Sequence, residues 1–325
     1  MKFMTQVPGL IHYPPAEFAP GRENWQRAMS AGDFQRFART ADDLGFDALT
    51  VSEHLLLPPE LVDRMGAVYP QALTAMAFLA GATSRIRVCS MVMVLPAHHP
   101  VDLAKAVATL DVMSGGRLIL NFGVGMAPAE LAAVGVPYER RGRVSDEYVR
   151  AMKELWISDR PSFAGEWVCF DEVVFEPKPV QRPHPPLWFG GLSMAALHRA
   201  TVLGDGWAPS GSALGKGPWL EDDAQLPGLL ARVHEEREAL GIDRPFDVHL
   251  SAVRPRLAPD HTTLPPAFVP QSAEHLIDEI GRLADLGVTW TMASRPGPPA
   301  TSLDAHLDDL RWLADEVLPS FREGS

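Results

Sequence analysis

The sequence contains little cysteine and no excess of positive charge. Only two of its 325 residues are cysteines, Cys89 and Cys169, too few for a disulfide framework. Both lie in apolar runs, so we expect each to be a small buried hydrophobic residue in a reducing compartment. Lysine and arginine number 29 against 41 aspartate and glutamate residues, which gives a net charge of −12. This balance excludes a nucleic-acid-binding protein that relies on a basic surface.

Long hydrophobic runs and a secretory signal are also missing. The most hydrophobic stretch, Val88–Leu95, is far shorter than the roughly 20 residues that cross a bilayer. Met1–Gly9 lacks a cationic start followed by an apolar segment. We therefore expect a cytoplasmic protein that does not bind membranes. The 46% share of hydrophobic residues, with 22% charged, is typical of a packed globular enzyme rather than a disordered chain.

A helical pattern followed by glycine and a strand pattern occurs near both ends of the chain. Asp33–Leu44 has helical spacing of apolar residues, Gly45 follows, and Ala48–Val51 reads as a strand. Glu274–Leu286, Gly287 and Val288–Met292 repeat this order. We expect both glycines to end their helices in the left-handed conformation.

Strand and helix patterns alternate along the whole chain. Several strands are apolar on both faces, as in parallel sheets covered by helices. The eight predicted strands are Phe3–Val7, Ala48–Val51, Ile86–Leu95, Leu118–Phe122, Pro186–Phe189, Trp207–Pro209, Val248–Val253 and Val288–Met292. The predicted helices are Asp33–Leu44, Pro70–Ala82, Val101–Met113, Asp146–Trp156, Ser193–Leu203, Asp222–Leu240, Glu274–Ala284 and Leu303–Leu318. This pattern predicts a single (β/α)₈ TIM-barrel domain over residues 1–325. An open six-stranded sheet is the alternative.

Three segments do not fit the alternation: Leu55–Tyr69, the proline-rich Ser158–His184 and Arg254–Gln271. Within the second, Trp167–Phe175 has the pattern of a hairpin. Long loops in compact domains are usually functional or disordered, and loops that follow barrel strands lie at the catalytic carboxyl face. We expect these insertions at that face and to determine substrate specificity. Their apolar, proline-rich composition indicates a hydrophobic substrate, although the same loops could form a dimer contact.

Polar and glycine residues follow three of the predicted strands. His54 ends the second strand region, and a histidine there can exchange protons near neutral pH. Gly123–Gly125 follows the fourth strand, and Gly190–Ser193 follows the fifth and opens a helix, where free N–H groups attract anions. A structural histidine and ordinary tight turns are the alternatives. Neither glycine run matches a Rossmann or P-loop pattern.

Taken in order, several runs resemble the bacterial luciferase-like family. They are Gly45–His54, Val94–Pro100, Leu110–Arg117 with Gly123–Gly125, Pro177–Gln181 with Pro185–Gly191, and Gly204–Trp207. The resemblance is strong over about residues 1–210. It implies a TIM barrel, a flavin-type cofactor at the carboxyl ends of the strands, and a homodimer. The family contains FMN-dependent monooxygenases and oxidoreductases that use the deazaflavin coenzyme F420.

The resemblance also implies roles for individual residues. His54 would donate or accept a proton beside the reactive edge of the ring, with Glu130 as a second proton-donor candidate. Met91 and Val92 would form a bulge behind the ring, where relatives often have a non-prolyl cis peptide. The remaining expected cofactor contacts are Ser52, Gly123, Val124, Gly125, Gly190, Gly191, Leu192 and Ser193, and Glu53 and Trp207 are expected in the substrate pocket.

One position departs from the FMN-dependent luciferases. Those enzymes place an arginine on the phosphate where this chain has Val124, and a missing bidentate cation disfavours a tightly held FMN phosphate. The departure favours F420, whose anionic tail would need cations such as Arg140, Arg141, Arg143 or Lys216. A solvated charged surface is the alternative for these residues.

The sequence therefore predicts an oxidoreductase that moves a hydride between F420 and an organic, apolar substrate. One alternative is a reduced-FMN monooxygenase that acts with a separate flavin reductase. A cofactor-binding protein without turnover is the alternative from another class. We expect no metal site, because His98 and His99 lack a further ligand cluster and read as polar loop residues.

Overall fold

The structure is a computed structural model that describes residues 1–10, 25–209, 225–252, 256–257, 263–264 and 270–322. Its strands are β1 Lys2–Gln6, β2 Ala48–Val51, β3 Arg87–Ser90, β4 Met93–Val94, β5 Leu118–Gly123, β6 Phe163–Ala164, β7 Cys169–Phe170, β8 Leu187–Gly190, β9 Gly206–Ala208, β10 Asp247–Val248, β11 Arg256–Leu257, β12 Thr263–Leu264 and β13 Trp290–Met292. Its α-helices are α1 Ala31–Asp43, α2 Pro59–Met65, α3 Ala72–Ala82, α4 Pro100–Ser114, α5 Pro128–Ala133, α6 Arg141–Ile157, α7 Met194–Leu203, α8 Leu226–Ala239, α9 Ala273–Asp285 and α10 Leu303–Glu316.

The main sheet has the strand order of a barrel. Its hydrogen-bonded order is β10, β9, β8, β5, β3, β2, β1 and β13, with β4 also paired to β5. A parallel bridge between His249 and Trp290 joins the ends of this order, next to β10 and within β13. The predicted (β/α)₈ TIM-barrel class is therefore confirmed, and the open six-stranded sheet is not observed.

The described chain divides into two compact units. The first contains residues 1–7, 24–49 and 188–325. Within it, parallel pairing runs from β8 to β9 and from β9 to β10, and β1 pairs with β13. Three tryptophans, Trp188, Trp207 and Trp290, are fully buried here. The burial of these large side chains contributes to the hydrophobic free energy of this unit.

The second unit contains residues 8–23 and 50–187. Its central strand is β5, which pairs in parallel with β3 and then with β4. Arg117, just before β5, donates hydrogen bonds to the carbonyl oxygens of Ala80, Thr83, Ile86 and Ser114 and to the Thr83 hydroxyl. One guanidinium group thus satisfies carbonyls at the ends of α3 and α4.

The predicted helix ends at both glycines are confirmed. Gly45 has φ of 79° and Gly287 has φ of 95°, a left-handed conformation that is unstrained only for glycine. At the other end of α1, the Ser30 side chain accepts from Asp33 N and the Asp33 side chain accepts from Ser30 N. This capping box satisfies two backbone N–H groups of the first turn region.

The structure corrects several expectations. The hairpin pairs Phe163–Ala164 with Cys169–Phe170, so it lies earlier than Trp167–Phe175. Cys169 on β7 is an exposed free thiol, whereas Cys89 is buried as expected. The apolar neighbours of Cys169 in sequence were misleading, because a two-residue strand of a surface hairpin has no covering layer. Leu55–Tyr69 is not wholly irregular, since it contains α2.

The segment Ser158–His184 also differs from the prediction. It follows α6 and precedes β8, and the Gln181 side chain donates to Leu118 O at the first residue of β5. Gln181 N and Nε2 also donate to the buried Asp111 carboxylate. This end of the segment therefore lies at the amino end of β5 rather than at the carboxyl ends of the strands.

Within the described ranges, no helix has both the length and the hydrophobicity required to cross a bilayer.

Candidate active site

The end of β2 brings a histidine against a buried carboxylate. His54 Nδ1 lies 3.2 Å and 3.3 Å from the two carboxylate oxygens of Glu130, which is in the first turn of α5. Glu130 is fully buried, and its Oε1 also accepts a hydrogen bond of 2.7 Å from Leu55 N. The two residues named as catalytic candidates are thus in direct contact.

This contact favours one of the two tautomers of the neutral His54 ring. An ionised carboxylate only accepts hydrogen bonds, so Nδ1 facing Glu130 is the donor. The other nitrogen, Nε2, is then the acceptor. The His54 side chain retains 10% exposure. His54 can therefore take up a proton at Nε2 and return it, while Glu130 stabilises the charged ring.

Tyr69 is a further neighbour of His54, and it was not among the residues predicted for the site. The two rings meet edge to face, with centroids 4.8 Å apart and planes at 90°. Tyr69 is the last residue of the segment Leu55–Tyr69, just before α3. A single aromatic residue at the end of an irregular loop carries no periodic signal, so the sequence offered no means of placing it.

A bulge separates β3 from β4. Cys89 pairs with Ile119 and Met93 pairs with Phe122. Four residue steps between β3 and β4 therefore lie opposite three residue steps on β5, which defines a bulge. The extra residue falls at Met91–Val92, where the peptide bond is cis. The bulge and the cis peptide that the resemblance suggested are both present.

Side chains around the bulge replace the interrupted strand hydrogen bonds. Ser90 Oγ accepts from Asn121 N and donates to Asn121 O, and Ser52 Oγ donates to Met91 O at 2.5 Å. A Cβ at Gly123 would lie 2.9 Å from Val92 Cγ2, which leaves no room for a side chain there. The structure thus brings together Ser52, Met91, Val92 and Gly123, with Val124 and Gly125 directly after β5.

Gly190–Ser193 lies in the first unit, between β8 and α7. Ser193 is the N-cap of α7, and its Oγ accepts from Ala196 N at 3.1 Å. Trp207 on β9 is 1% exposed, and its Nε1 donates to Gly191 O at 2.8 Å. Trp207 therefore anchors the glycine turn, a role that the prediction of a pocket aromatic did not specify.

Glu53 is buried, with both carboxylate oxygens bonded inside the protein. Oε2 accepts from Ala72 N at 2.9 Å, and Oε1 lies 2.6 Å from His98 Nε2. Its predicted contact with substrate stays a prediction. The bond to His98 carries no local signal in the sequence, because the two residues are 45 positions apart.

The predicted tail-binding cations are only partly described. Arg140 forms an ion pair with Glu166 at 2.5 Å. Arg141 donates to Tyr138 O, and its guanidinium lies over the Tyr138 ring. Arg143 is exposed, and Lys216 lies outside the described residues. In the described part of the chain, no group of three or more His, Cys, Asp or Glu residues could hold a metal ion.

Three similar proteins illustrate the range of activities around this chain. FMNH₂-dependent dimethylsulfone monooxygenase from Pseudomonas putida is 35% identical over 139 residues, 42% of this chain and 38% of that protein. F420-dependent glucose-6-phosphate dehydrogenase from Kineococcus radiotolerans is 29% identical over 297 residues, covering 86% of this chain and 85% of that protein. The solved structure of an F420-dependent secondary alcohol dehydrogenase with an F420–acetone adduct has a TM-score of 0.71 at 19% identity, covering 99% of both chains.

The model of one family, described as luciferase-like monooxygenase, matches residues 6–251. This range contains His54, Glu130, the bulge and the glycine turn before α7. Because the match covers more than half of the sequence, the chain belongs to the luciferase-like monooxygenase family.

Proposed function

We propose that this chain is an oxidoreductase that transfers a hydride between coenzyme F420 and an organic substrate. The observation that carries the proposal is the contact of His54 Nδ1 with the buried Glu130 carboxylate. It leaves Nε2 to move the proton that accompanies the hydride. The relative that acts with F420 aligns with 86% of this chain, which supports a deazaflavin over other cofactors.

The residues fit such a cofactor in each unit taken separately. In the second unit, the ring would lie against the bulge at Met91 and Val92, where the absence of a Cβ at Gly123 leaves room for the Val92 side chain. In the first unit, the N-terminus of α7 after Gly190–Gly191 offers backbone N–H groups to a phosphate. Val124, where the resemblance would place an arginine for FMN, offers no cation.

When bound, F420 supplies the hydride chemistry, which no side chain can supply. The chain's own residues orient the groups and move the proton. Ser52 fixes the carbonyl of Met91 at the bulge. Glu130 holds the His54 ring through Nδ1 and, by accepting from Leu55 N, also holds the adjoining backbone. His54 Nε2 then accepts a proton from a substrate hydroxyl or returns one to a carbonyl oxygen.

An apolar substrate agrees with the surface of the segment after β2. Leu55, Leu56 and Val68 expose 39%, 46% and 42% of their surface. Exposed apolar side chains close to a candidate site favour the binding of hydrophobic ligands. We also propose that the protein is cytoplasmic and that it is a homodimer, as the resemblance implies; Phe78 on α3 is an exposed apolar side chain that such a dimer could bury. Light scattering on the purified protein tests the dimer.

A second candidate is a reduced-FMN monooxygenase that receives its cofactor from a separate flavin reductase. The specific support is the 35% identity over 139 residues to an FMNH₂-dependent enzyme. A protein that binds the cofactor without turnover is the third candidate. The proton-moving pair His54–Glu130 argues against it, since binding alone needs no such pair.

Titration of the purified protein with F420 and with FMN, followed by fluorescence quenching, separates the first two candidates. We expect F420 to bind at micromolar concentration or tighter and FMN to bind at least tenfold more weakly (about 1.4 kcal/mol). Tight FMN binding without F420 binding would refute the proposal. It would direct the work to oxygen-dependent oxidation with a partner reductase.

A His54→Gln variant tests the proton-moving role. We expect F420 affinity to stay within about threefold of the original and turnover to fall by about 100-fold or more, since positioned acid–base groups contribute 10²–10⁴. The matched control is His99→Gln, because His99 is an exposed histidine in the same unit. Unchanged turnover in His54→Gln would contradict the assignment.

A further inference from the structure

Two carboxylate–histidine pairs meet at neighbouring residues after β2. Glu53 pairs with His98 at 2.6 Å, and His54 pairs with Glu130 at 3.2 Å. The second pair is the proposed proton-moving group, whereas the hydrogen bond between Glu53 and His98 has no role so far. We propose that Glu53 and His98 are positioning residues that hold His54 in its working orientation. This inference rests on the proposed function of His54.

The Glu53 carboxylate has no exposed surface. Burying a charged carboxylate is costly unless hydrogen bonds replace its lost water. Here Oε1 takes the bond to His98 Nε2, and Oε2 takes the bond to Ala72 N. Ala72 is the first residue of α3, where the partial positive charge of a helix N-terminus stabilises an anion. Both oxygens are therefore hydrogen-bonded. The loss of either partner would leave one carboxylate oxygen without a hydrogen bond in an apolar interior.

The hydrogen bonds of the Glu53 carboxylate connect three segments of the second unit. Glu53 lies two residues after β2, Ala72 begins α3, and His98 lies in the turn before α4. A side chain that is bonded on both oxygens restricts its own backbone. The peptide between Glu53 and His54 is therefore fixed from the side of α3 and α4.

The same short stretch is fixed from the other side by Glu130. Its carboxylate accepts from Leu55 N and contacts His54 Nδ1. Residues 53–55 are thus held by two buried carboxylates that belong to different elements. The backbone from which the imidazole extends is therefore held by Glu53, and the contact of Nδ1 with Glu130 sets the torsion of the ring itself. Catalytic groups need this kind of support, because small errors in position cost large factors in rate.

The neighbouring His99 provides a contrast within the same turn. His98 is largely buried, with 15% of its side chain exposed, whereas His99 is exposed. A role confined to filling space would not need a hydrogen-bond donor at His98. A positioning role would need the donor at Nε2, since that atom faces Glu53.

The test uses the cofactor-free protein, so it does not depend on which cofactor binds. Long-range ¹H–¹⁵N correlation spectra of ¹⁵N-histidine-labelled protein show which ring nitrogen is protonated, and the His54→Gln variant assigns the His54 signals. In the original protein we expect His54 to carry its proton on Nδ1 in the neutral ring. In His98→Leu we expect loss of this single form, with a mixed population of both forms instead.

Two further variants separate positioning from packing. Gln at 98 places an amide N–H where the imidazole Nε2–H was, so His98→Gln should restore the Nδ1-protonated form. His98→Asn keeps a polar group but is too short to reach Glu53, so it should behave like His98→Leu, and it serves as the second test if His98→Leu does not fold. His99→Leu is the matched control and should leave the His54 signals unchanged. An unchanged His54 signal in folded His98→Leu or His98→Asn would overturn the proposal.

Kinetics of the enzyme loaded with F420 provide the second readout. We expect His98→Leu to lower kcat by about tenfold with KM nearly unchanged, and His98→Gln to recover most of the loss. If the spectra change as expected while F420 does not bind, the positioning role stands and the proposed cofactor is wrong. If F420 turnover is present and the spectra do not change, the positioning role is wrong and the proposed function stands.

Discussion

Acid should weaken the protein through one buried histidine. His249, next to β10, is 3% exposed, and neither of its ring nitrogens has a hydrogen-bond partner among the described residues. Burial lowers the pKa of His249 from 6.5 to about 4, because an apolar interior disfavours the charged ring. The folded protein therefore keeps His249 neutral at pH values where the unfolded chain would protonate it.

The sign and size of the effect follow from these two pKa values. Well above pH 6.5 the ring is neutral in both states, so His249 does not change the free energy of unfolding there. As the pH falls from 6.5 towards 4, only the unfolded state gains the proton, and unfolding becomes more favourable. The loss should approach about 3 kcal/mol at its limit, and about 2 kcal/mol at pH 5.

Urea denaturation of the original protein and of His249→Gln, between pH 7.5 and 4.5, measures this loss. Glutamine stays neutral throughout, so the stability difference between the two proteins should move in favour of the variant by about 2 kcal/mol from pH 7.5 to 5. His234→Gln, which replaces an exposed histidine of the same unit, should show no comparable trend. A difference that stays constant within about 0.5 kcal/mol would refute the reasoning.

Three further predictions concern single hydrogen-bonding groups. Trp207→Phe removes the donor to Gly191 O and should weaken F420 binding about fivefold (about 1 kcal/mol) in a fluorescence titration, with Trp312→Phe as the control. Glu147 accepts from the backbone N–H groups of Glu166, Trp167 and Val168, so Glu147→Gln should speed hydrogen exchange at these amides, whereas Glu139→Gln should not. Arg117→Lys cannot replace five hydrogen bonds and should cost about 2–3 kcal/mol in urea denaturation, with Arg87→Lys near zero. Unchanged values in the first member of each pair would contradict these assignments.

Much of the fold could be predicted because its signals are local. The helix around Asp33–Leu44, the cap at Gly45 and the strand Ala48–Val51 depend on residues that are close in sequence, and the structure has the same order. Segments with weak local signals were predicted less well. The short α2 and α5 were not predicted, and the predicted third strand is divided by the bulge at Met91–Val92.

The candidate site could likewise be predicted only in part. His54 and Glu130 could be proposed from the resemblance, but their contact joins residues 76 positions apart and only the fold brings them together. Tyr69 and His98 carry no local pattern that separates them from ordinary loop residues. The hydrogen-bond partners of Glu53 depend on where α3 begins and on the position of the turn before α4. Composition and periodicity specify neither.

The contrast between the two cysteines has a practical consequence. Cys89 is buried and Cys169 is exposed on the β6–β7 hairpin, so a thiol-reactive dye added to the native protein should attach at one position. The sequence thus already contains a single labelling site for single-molecule or fluorescence experiments, and no cysteine has to be removed or introduced. A dye there would report on the hairpin directly, and the same thiol calls for a reducing agent during storage.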